Sequence, residues 1–433
     1  MGGRRPYLQI GAVVAFGAAI LGAGYFGPHP GTPAASGTAG LSPTVAASGV
    51  AAATASPSES GPTLPLPSPA IPAPQLEALL GARLIGKAAG ETVTLLPLQI
   101  SSGVPARVGD RLFYVVGGDQ VETSVAGQKT DPFTLVTTPH CKAINQIAAA
   151  GDSLLFLVSW PDGPNPTTGG CDGFTTIDWS LQVMNVQTGK GRELATGQRA
   201  KIAPHLDGFP IHFALTTTAY AFDRPESETA PGGPENVEVR SFDGKTSWTT
   251  RTTAHVVQLG LAGDRLMVVT EPSFPTPGPL SVSVATSRSP ALEVLGEPAT
   301  GASISEDGRY VAWDAALHSG PAGRVITSDV LVYDAASGTK SSVAPPAMAQ
   351  ADHVFTMHPT VSSTAAGPFV AWLVVVDTTV YPMFSWPGKH ESGFLDSLQE
   401  PMWIDAAAGS LVWIAESADG WTAVAYTAEV AKL

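Results

Sequence analysis

Few residues in this chain combine the type and the spacing that chemistry requires. Glycoside hydrolysis wants two carboxyl groups facing one bond. The acids in long polar stretches are Asp172, Asp178, Glu226, Glu228 and Glu391, mostly flanked by Gly, Pro and Thr. Such flanks give solvated loops, so these acids are weak candidates for a catalytic pair. No Gly-x-Ser-x-Gly elbow is present to supply an acyl-transfer nucleophile. His140, His205, His255, His353 and His358 each precede an apolar strand, and a ring of imidazoles could bind a metal. Their offsets from the following turn are unequal, however, so neither a metal nor any other cofactor is expected.

Aromatic residues are the better lead. Trp160, Trp179, Tyr381, Phe384 and Trp386 lie in or beside the long polar stretches. Exposed aromatic rings stack on sugars or anchor a protein partner. The richest segment, Tyr381-Pro382-Met383-Phe384-Ser385-Trp386-Pro387, is the expected binding surface. Local packing at strand ends is the competing role for the same rings.

The elements that would position these groups are short strands. Only 14% of the 433 residues are charged, while Gly (46) and Pro (38) abound, a mixture that suits strands and tight turns. Turns are read near Gly109-Asp110, Gly151-Asp152, Thr217-Thr218, Gly263-Asp264, Asp307-Gly308, Ala366-Gly367 and Gly409-Ser410, each followed by an apolar strand. The spacing recurs at about 42–46 residues, stretched to about 60–66 by insertions, which is the period of propeller blades. Further strand pairs, such as Val330–Tyr333 with Lys340–Val343, bring most units to four strands. The expected fold is therefore all-β, a β-propeller of seven four-stranded blades spanning 75–433. Thr92–Leu98 is the unassigned strand that could complete the last blade and close the ring.

The S-x-D-G-R-Y-V-A-W hairpin at Ser305–Trp313, followed by Val330–Thr339, resembles the bacterial TolB-like and WD40-like β-propellers. Gly151–Val158 with Leu181–Gly189 is a second match. The resemblance implies a scaffold of structural turns and transfers no catalytic residues. In such a blade the a–b turns occupy one face of the ring and the b–c loops the other. The long b–c insertions expected at Pro161–Asp178, Arg224–Asn236, Ala315–Ser328 and Asp377–Leu395 mark the second face for binding. Ser241–Trp248 approximates an Asp-box, itself a structural turn.

Arg4-Arg5 precede an uncharged apolar run, Tyr7–Phe26, long enough to span a bilayer, so 1–27 is expected to be a single-pass signal-anchor. Secretion after signal cleavage is the alternative. Residues 28–74, rich in Pro, Ala, Ser and Thr, read as a disordered tether. An exported chain with two cysteines, Cys141 and Cys171, is expected to join them in a disulfide. A net charge of −14 argues against a nucleic-acid partner. The sequence thus favours an extracytoplasmic binding or scaffolding propeller for an envelope protein, peptide or glycan. The alternative is an exported hydrolase or lyase using loop carboxylates.

Overall fold

The computed structural model describes residues 71–85, 94–97, 105–125, 133–139, 141–161, 176–200, 211–226, 233–271, 280–319, 325–348, 351, 354–377, 379–395, 401–407, 409–416 and 422–430. The expected membrane segment, the expected tether up to residue 70 and Cys171 lie outside these residues, whereas Ala73 and Pro74, expected in the tether, begin a helix. Among the described residues, no helix is long and apolar enough to cross a membrane.

All seven expected turns join the first two strands of an antiparallel unit. Blade 1 runs through Ala106–Val108, Arg111–Val116, Gln120–Val125 and Phe133–Thr137, and blade 2 through Ala143–Ala150, Ser153–Pro161, Thr176–Asn185 and Gly191–Ala200. Blade 3 comprises Phe213–Leu215, Ala219–Pro225, Glu235–Ser241 and Ser247–Arg251. Blades 4 and 5 are fused. The strand Ser289–Ile304 closes blade 4 outside His255–Ala262, Arg265–Glu271 and Leu280–Thr286, then opens blade 5 inside Tyr310–Ser319, Val325–Asp334 and Thr339–Ser342. Blade 6 contains Val354–Thr364, Gly367–Val376, Thr379–Trp386 and Glu391–Phe394, and blade 7 contains Pro401–Ala407, Ser410–Glu416 and Thr422–Glu429. The outer strand of blade 7 comes from the other end of the chain: Thr94–Pro97 pairs antiparallel with Thr422–Glu429, so the ring is closed by the N-terminal segment.

Turn chemistry explains why the hairpins form where they do. At Asp307-Gly308 the Arg309 N–H donates to Asp307 Oδ1 (3.0 Å), the Tyr310 N–H donates to Ser305 Oγ (2.9 Å), and Gly308 takes φ 73°. Left-handed φ is cheap for glycine alone. The Asp-box-like stretch repeats the device, with Lys245 N–H on Asp243 Oδ1 (3.0 Å) and Thr246 N–H on Ser241 Oγ (3.0 Å). It is a turn between the two outer strands of blade 3.

Packing is organised joint by joint. Alternate residues on each strand face opposite neighbours: in blade 7, Leu411, Trp413 and Ala415 join the apolar cluster shared with blade 6. Trp313, Trp372 and Trp413, one in the second strand of each of blades 5, 6 and 7, are fully buried. Helix α1 (Ala73–Leu80), ended by Gly81 at φ 61°, inserts Leu76 and Leu80 into the cluster between blades 5 and 6.

Blade 6 departs from expectation. Asp377–Leu395 is not a long loop: Val376 pairs with Thr379, and Thr379–Trp386 is the third strand. The prolines and mixed polarity of this stretch imitate a loop, yet the Pro382 carbonyl still accepts the Leu395 N–H at 2.9 Å. Arg83–Leu84 then adds a fifth strand, parallel to Glu391–Phe394.

Candidate functional site

Burying an ionisable group is costly unless it is paired, so polar residues inside the strand ends of a propeller stand out. Five converge where blades 2, 3 and 4 meet. Arg199 ends the outer strand of blade 2. His212 immediately precedes the inner strand of blade 3, Asp223 lies near the end of its second strand and Glu235 begins its third. His255 begins the inner strand of blade 4. Each is at most 2% exposed. These strand ends lie on the face of the ring that carries the b–c loops.

The contacts form two imidazole–carboxyl pairs, and a guanidinium binds the first of them. His255 Nδ1 lies 3.0 Å from Glu235 Oε1, and Arg199 Nη2 donates to the same oxygen at 3.1 Å. His255 Nδ1 is also 3.3 Å from Arg199 Nη2. That nitrogen therefore donates to Glu235 when protonated and can accept from Arg199 when it is not. Glu235 Oε2 takes the Val256 N–H at 3.0 Å, which fixes the carboxyl in place. In the second pair His212 Nδ1 is 3.4 Å from Asp223 Oδ2, while the His212 backbone N–H donates to Asp223 Oδ1. The two imidazole rings stand edge to face, 6.0 Å apart.

The environment separates the two carboxyl groups. Burial, reinforced by the negative charge of Asp223, raises Glu235 to about 7. Burial acts on Asp223 in the same sense. There the His212 hydrogen bond and charge outweigh it, with help from Glu235 and Arg199, and Asp223 stays below the usual carboxylate range. One acid held near neutrality beside one held ionised is the arrangement that acid–base chemistry uses. The cluster can store a proton on Glu235 and pass it to His255.

Asp314, in the second strand of blade 5, is a buried carboxyl of a different kind. It accepts the Thr300 hydroxyl (2.7 Å) and the Gly301 N–H (2.7 Å) at an irregularity in the Ser289–Ile304 strand. Burial raises it to about 6. A carboxyl raised in the folded state contributes stability that is complete below its unfolded pKa and is lost as pH rises through the folded value. The wild type should therefore lose stability relative to Asp314→Asn as pH rises from about 4 to about 7. Urea titrations across that range check this.

The sequence-predicted residues fall elsewhere. Trp179, Tyr381, Phe384 and Trp386 are buried in the joints between blades. They pack the ring and do not form a binding face. Trp386 lies in the cluster between blades 6 and 7, and Trp179 covers Gly197, where a Cβ would come within 2.6 Å of its ring. Trp160 is half-buried, with Lys142 Nζ 3.9 Å from its ring centroid. Of the acids, Asp178 accepts from Gln198 (3.1 Å), Glu226 pairs with Arg251, and Glu391 is an exposed strand start. They do not come together, and Asp172 and Glu228 lie outside the described residues. Of the two named histidines among the described residues, His255 joins the cluster and His358 does not. His358 sits at a bulge in blade 6 with φ 55° and is lowered to about 4 by burial, while His140, His205 and His353 lie outside the described residues. Among the described residues no group of His, Cys, Asp and Glu could hold a metal ion. Cys141 is disulfide-bonded.

Four members of the cluster were missed: Arg199, His212, Asp223 and Glu235. The available signal was an ionisable residue inside an apolar strand, as in Ala219-Tyr220-Ala221-Phe222-Asp223 and Ile211-His212-Phe213.

No protein-family model and no curated protein matches the sequence. Solved structures similar to parts of it include a point variant of the Synechocystis apocarotenoid oxygenase, at 15% identity and a TM-score of 0.41 over 66% of this chain and 68% of that chain. A chimera of apocarotenoid oxygenase and RPE65 is similar at 16% identity and a TM-score of 0.41, over 67% of this chain and 69% of that one.

Proposed function

We propose that this chain is an extracytoplasmic propeller enzyme of hydrolase or lyase type, acting on a glycan or peptide through the acid–base cluster of blades 2–4. The observation that carries the reading is the pairing of Glu235, raised to about 7 by burial, with His255 at 3.0 Å. A general acid works best with a pKa close to the operating pH. Glu235 would serve as that acid and His255 as its proton partner. Arg199 would hold the carboxyl, and the negative charge of Asp223, together with burial, would keep it protonated. The reading replaces the scattered loop acids with groups that touch one another. Export rests on Arg4-Arg5 and the apolar run Tyr7–Phe26, with a Cys141–Cys171 disulfide suited to an oxidising compartment.

The test is turnover of chromogenic glycosides, polysaccharides and peptides by the full chain, compared with Glu235→Gln and His255→Gln. Loss of a general acid should lower turnover on the order of 10²–10⁴-fold. Turnover that survives both substitutions, or none on any substrate class, overturns the reading. A second reading, a binding or scaffolding module for an envelope partner, is favoured by the sealing of the cluster, all five members being at most 2% exposed. It predicts no turnover, and a partner retained in pull-downs by both variants.

A further inference from the structure

Of the five aromatic residues expected to form a binding face, Trp160 alone is half-buried; the others are buried. It stands next to last in the second strand of blade 2, at the edge that carries the b–c loops. Its cross-strand partner is Asp178, near the start of the third strand. The partner of Asp178 is in turn Gln198, near the end of the outer strand. Cross-strand partners share a sheet face. Lys142, immediately before the inner strand, extends the row, with its Nζ 3.9 Å from the Trp160 ring centroid. An ammonium, an indole, a carboxylate and an amide therefore cross the width of the blade at one edge.

The row has the chemistry of a sugar subsite. Asp178 Oδ1 accepts from Gln198 Nε2 at 3.1 Å, so the acid and the amide are held side by side. The other carboxylate oxygen and the amide oxygen can accept, and the second amide hydrogen can donate. Neighbouring hydroxyls of a sugar need such a set, and Trp160 offers an apolar ring beside it. Lys142 is the replaceable member, because its ammonium rides on a flexible four-carbon stem and can swing off the ring.

The surroundings narrow the ligand class. Peptides are gripped by apolar anchors, yet among the described residues the exposed large hydrophobic is Val294, on the outer strand of blade 4. A net charge of −14 disfavours an acidic polymer. Gln198 directly precedes Arg199 of the buried cluster, and successive strand residues face opposite ways. The row and the cluster thus share one end of blade 2, the row turned toward blade 1 and Arg199 toward blades 3 and 4.

We propose that Trp160, Asp178 and Gln198 form a subsite for one unit of a neutral glycan. The sugar ring stacks on the indole in place of Lys142, and its hydroxyls bind the Asp178–Gln198 pair. The glycan class rests on the proposed function, and the subsite would hold the chain beside the acid–base cluster.

Affinity electrophoresis of full-length Glu235→Gln, in gels cast with soluble glucan, mannan, galactan or polygalacturonate, tests the subsite without turnover. Retardation by at least one neutral glycan, and none by polygalacturonate, is expected. In the same background Trp160→Ala should weaken it at least about tenfold, and Trp160→Phe should keep most of it because a phenyl ring still stacks. Gln198→Ala, at an exposed position, should weaken it several-fold, whereas Lys142→Ala should leave it unchanged or stronger. Should Trp160→Ala not fold, Gln198→Ala decides. No retardation by any neutral glycan, retardation by polygalacturonate, retardation unchanged in Gln198→Ala, or its loss in Lys142→Ala overturns the subsite. Retardation with no turnover by the wild type leaves the subsite standing and removes the acid–base reading. Turnover without retardation does the reverse.

Discussion

Trp386→Ala should destabilise the fold by about 3–5 kcal/mol, the range for removing a large buried aromatic from a core. The side chain is 5% exposed and its ring centroid lies 5.1 Å from that of Phe369. Its Nε1 donates to Thr364 Oγ1 at 3.1 Å, and Lys389 Nζ sits 3.5 Å from the ring centroid. The ring also fills the space above Gly409 in the first turn of blade 7, where a Cβ would come within 2.9 Å of it. Truncation would open a cavity between blades 6 and 7 and remove the indole's hydrogen bond to Thr364. Phe384→Ala, in the same cluster, should cost a comparable amount. Denaturant midpoints of the single variants give the loss directly. A change under about 1 kcal/mol would mean that these rings are surface groups, as the sequence suggested.

The second large effect is expected at the buried charges. Arg199→Ala removes the one permanent cation of a cluster that holds two carboxyl groups. Breaking a buried ion pair from one side typically costs about 3–5 kcal/mol, because the remaining charge keeps its desolvation penalty. Loss of Arg199 should also raise Glu235 further, since the guanidinium lowers it. Unfolding measured at pH 8 should therefore show a larger penalty than at pH 5, where Glu235 is protonated in the folded state. An equal penalty at both values would show that Glu235 is not titrating in this interval.

The fold was largely legible because it is written in local chemistry. Asp307-Gly308 specifies its turn through the φ of Gly308 and a side-chain acceptor two residues from its donor, and Gly263-Asp264 through the positive φ of Gly263. The closing strand was legible too, since an apolar run with no partner of its own implies one elsewhere. Blade 6 was misread because Pro382 stands inside a true strand and Pro387 directly after it, and proline is a loop signal unless the ladder tolerates it. That error turned the packing rings Tyr381, Phe384 and Trp386 into an apparent binding surface.

The cluster was nearly invisible for a different reason. Arg199, His212, Asp223, Glu235 and His255 come from three blades and span residues 199–255, and no short motif brings them together. Their meeting depends on the stacking of one blade on the next, which local pattern does not encode. His255 was singled out only because it precedes an apolar strand, the same reading given to four other histidines.

The acid–base centre stands or falls on the protonation of Glu235. Carbon NMR of glutamate side-chain carboxyls in the folded chain, followed from pH 3 to 9, measures it directly. One carboxyl should titrate near 7, vanish in Glu235→Gln, and move upward in His255→Gln, because the imidazole's hydrogen bond lowers it. A spectrum in which the Glu235 carboxyl titrates at its ordinary value of 4.5 would contradict the account.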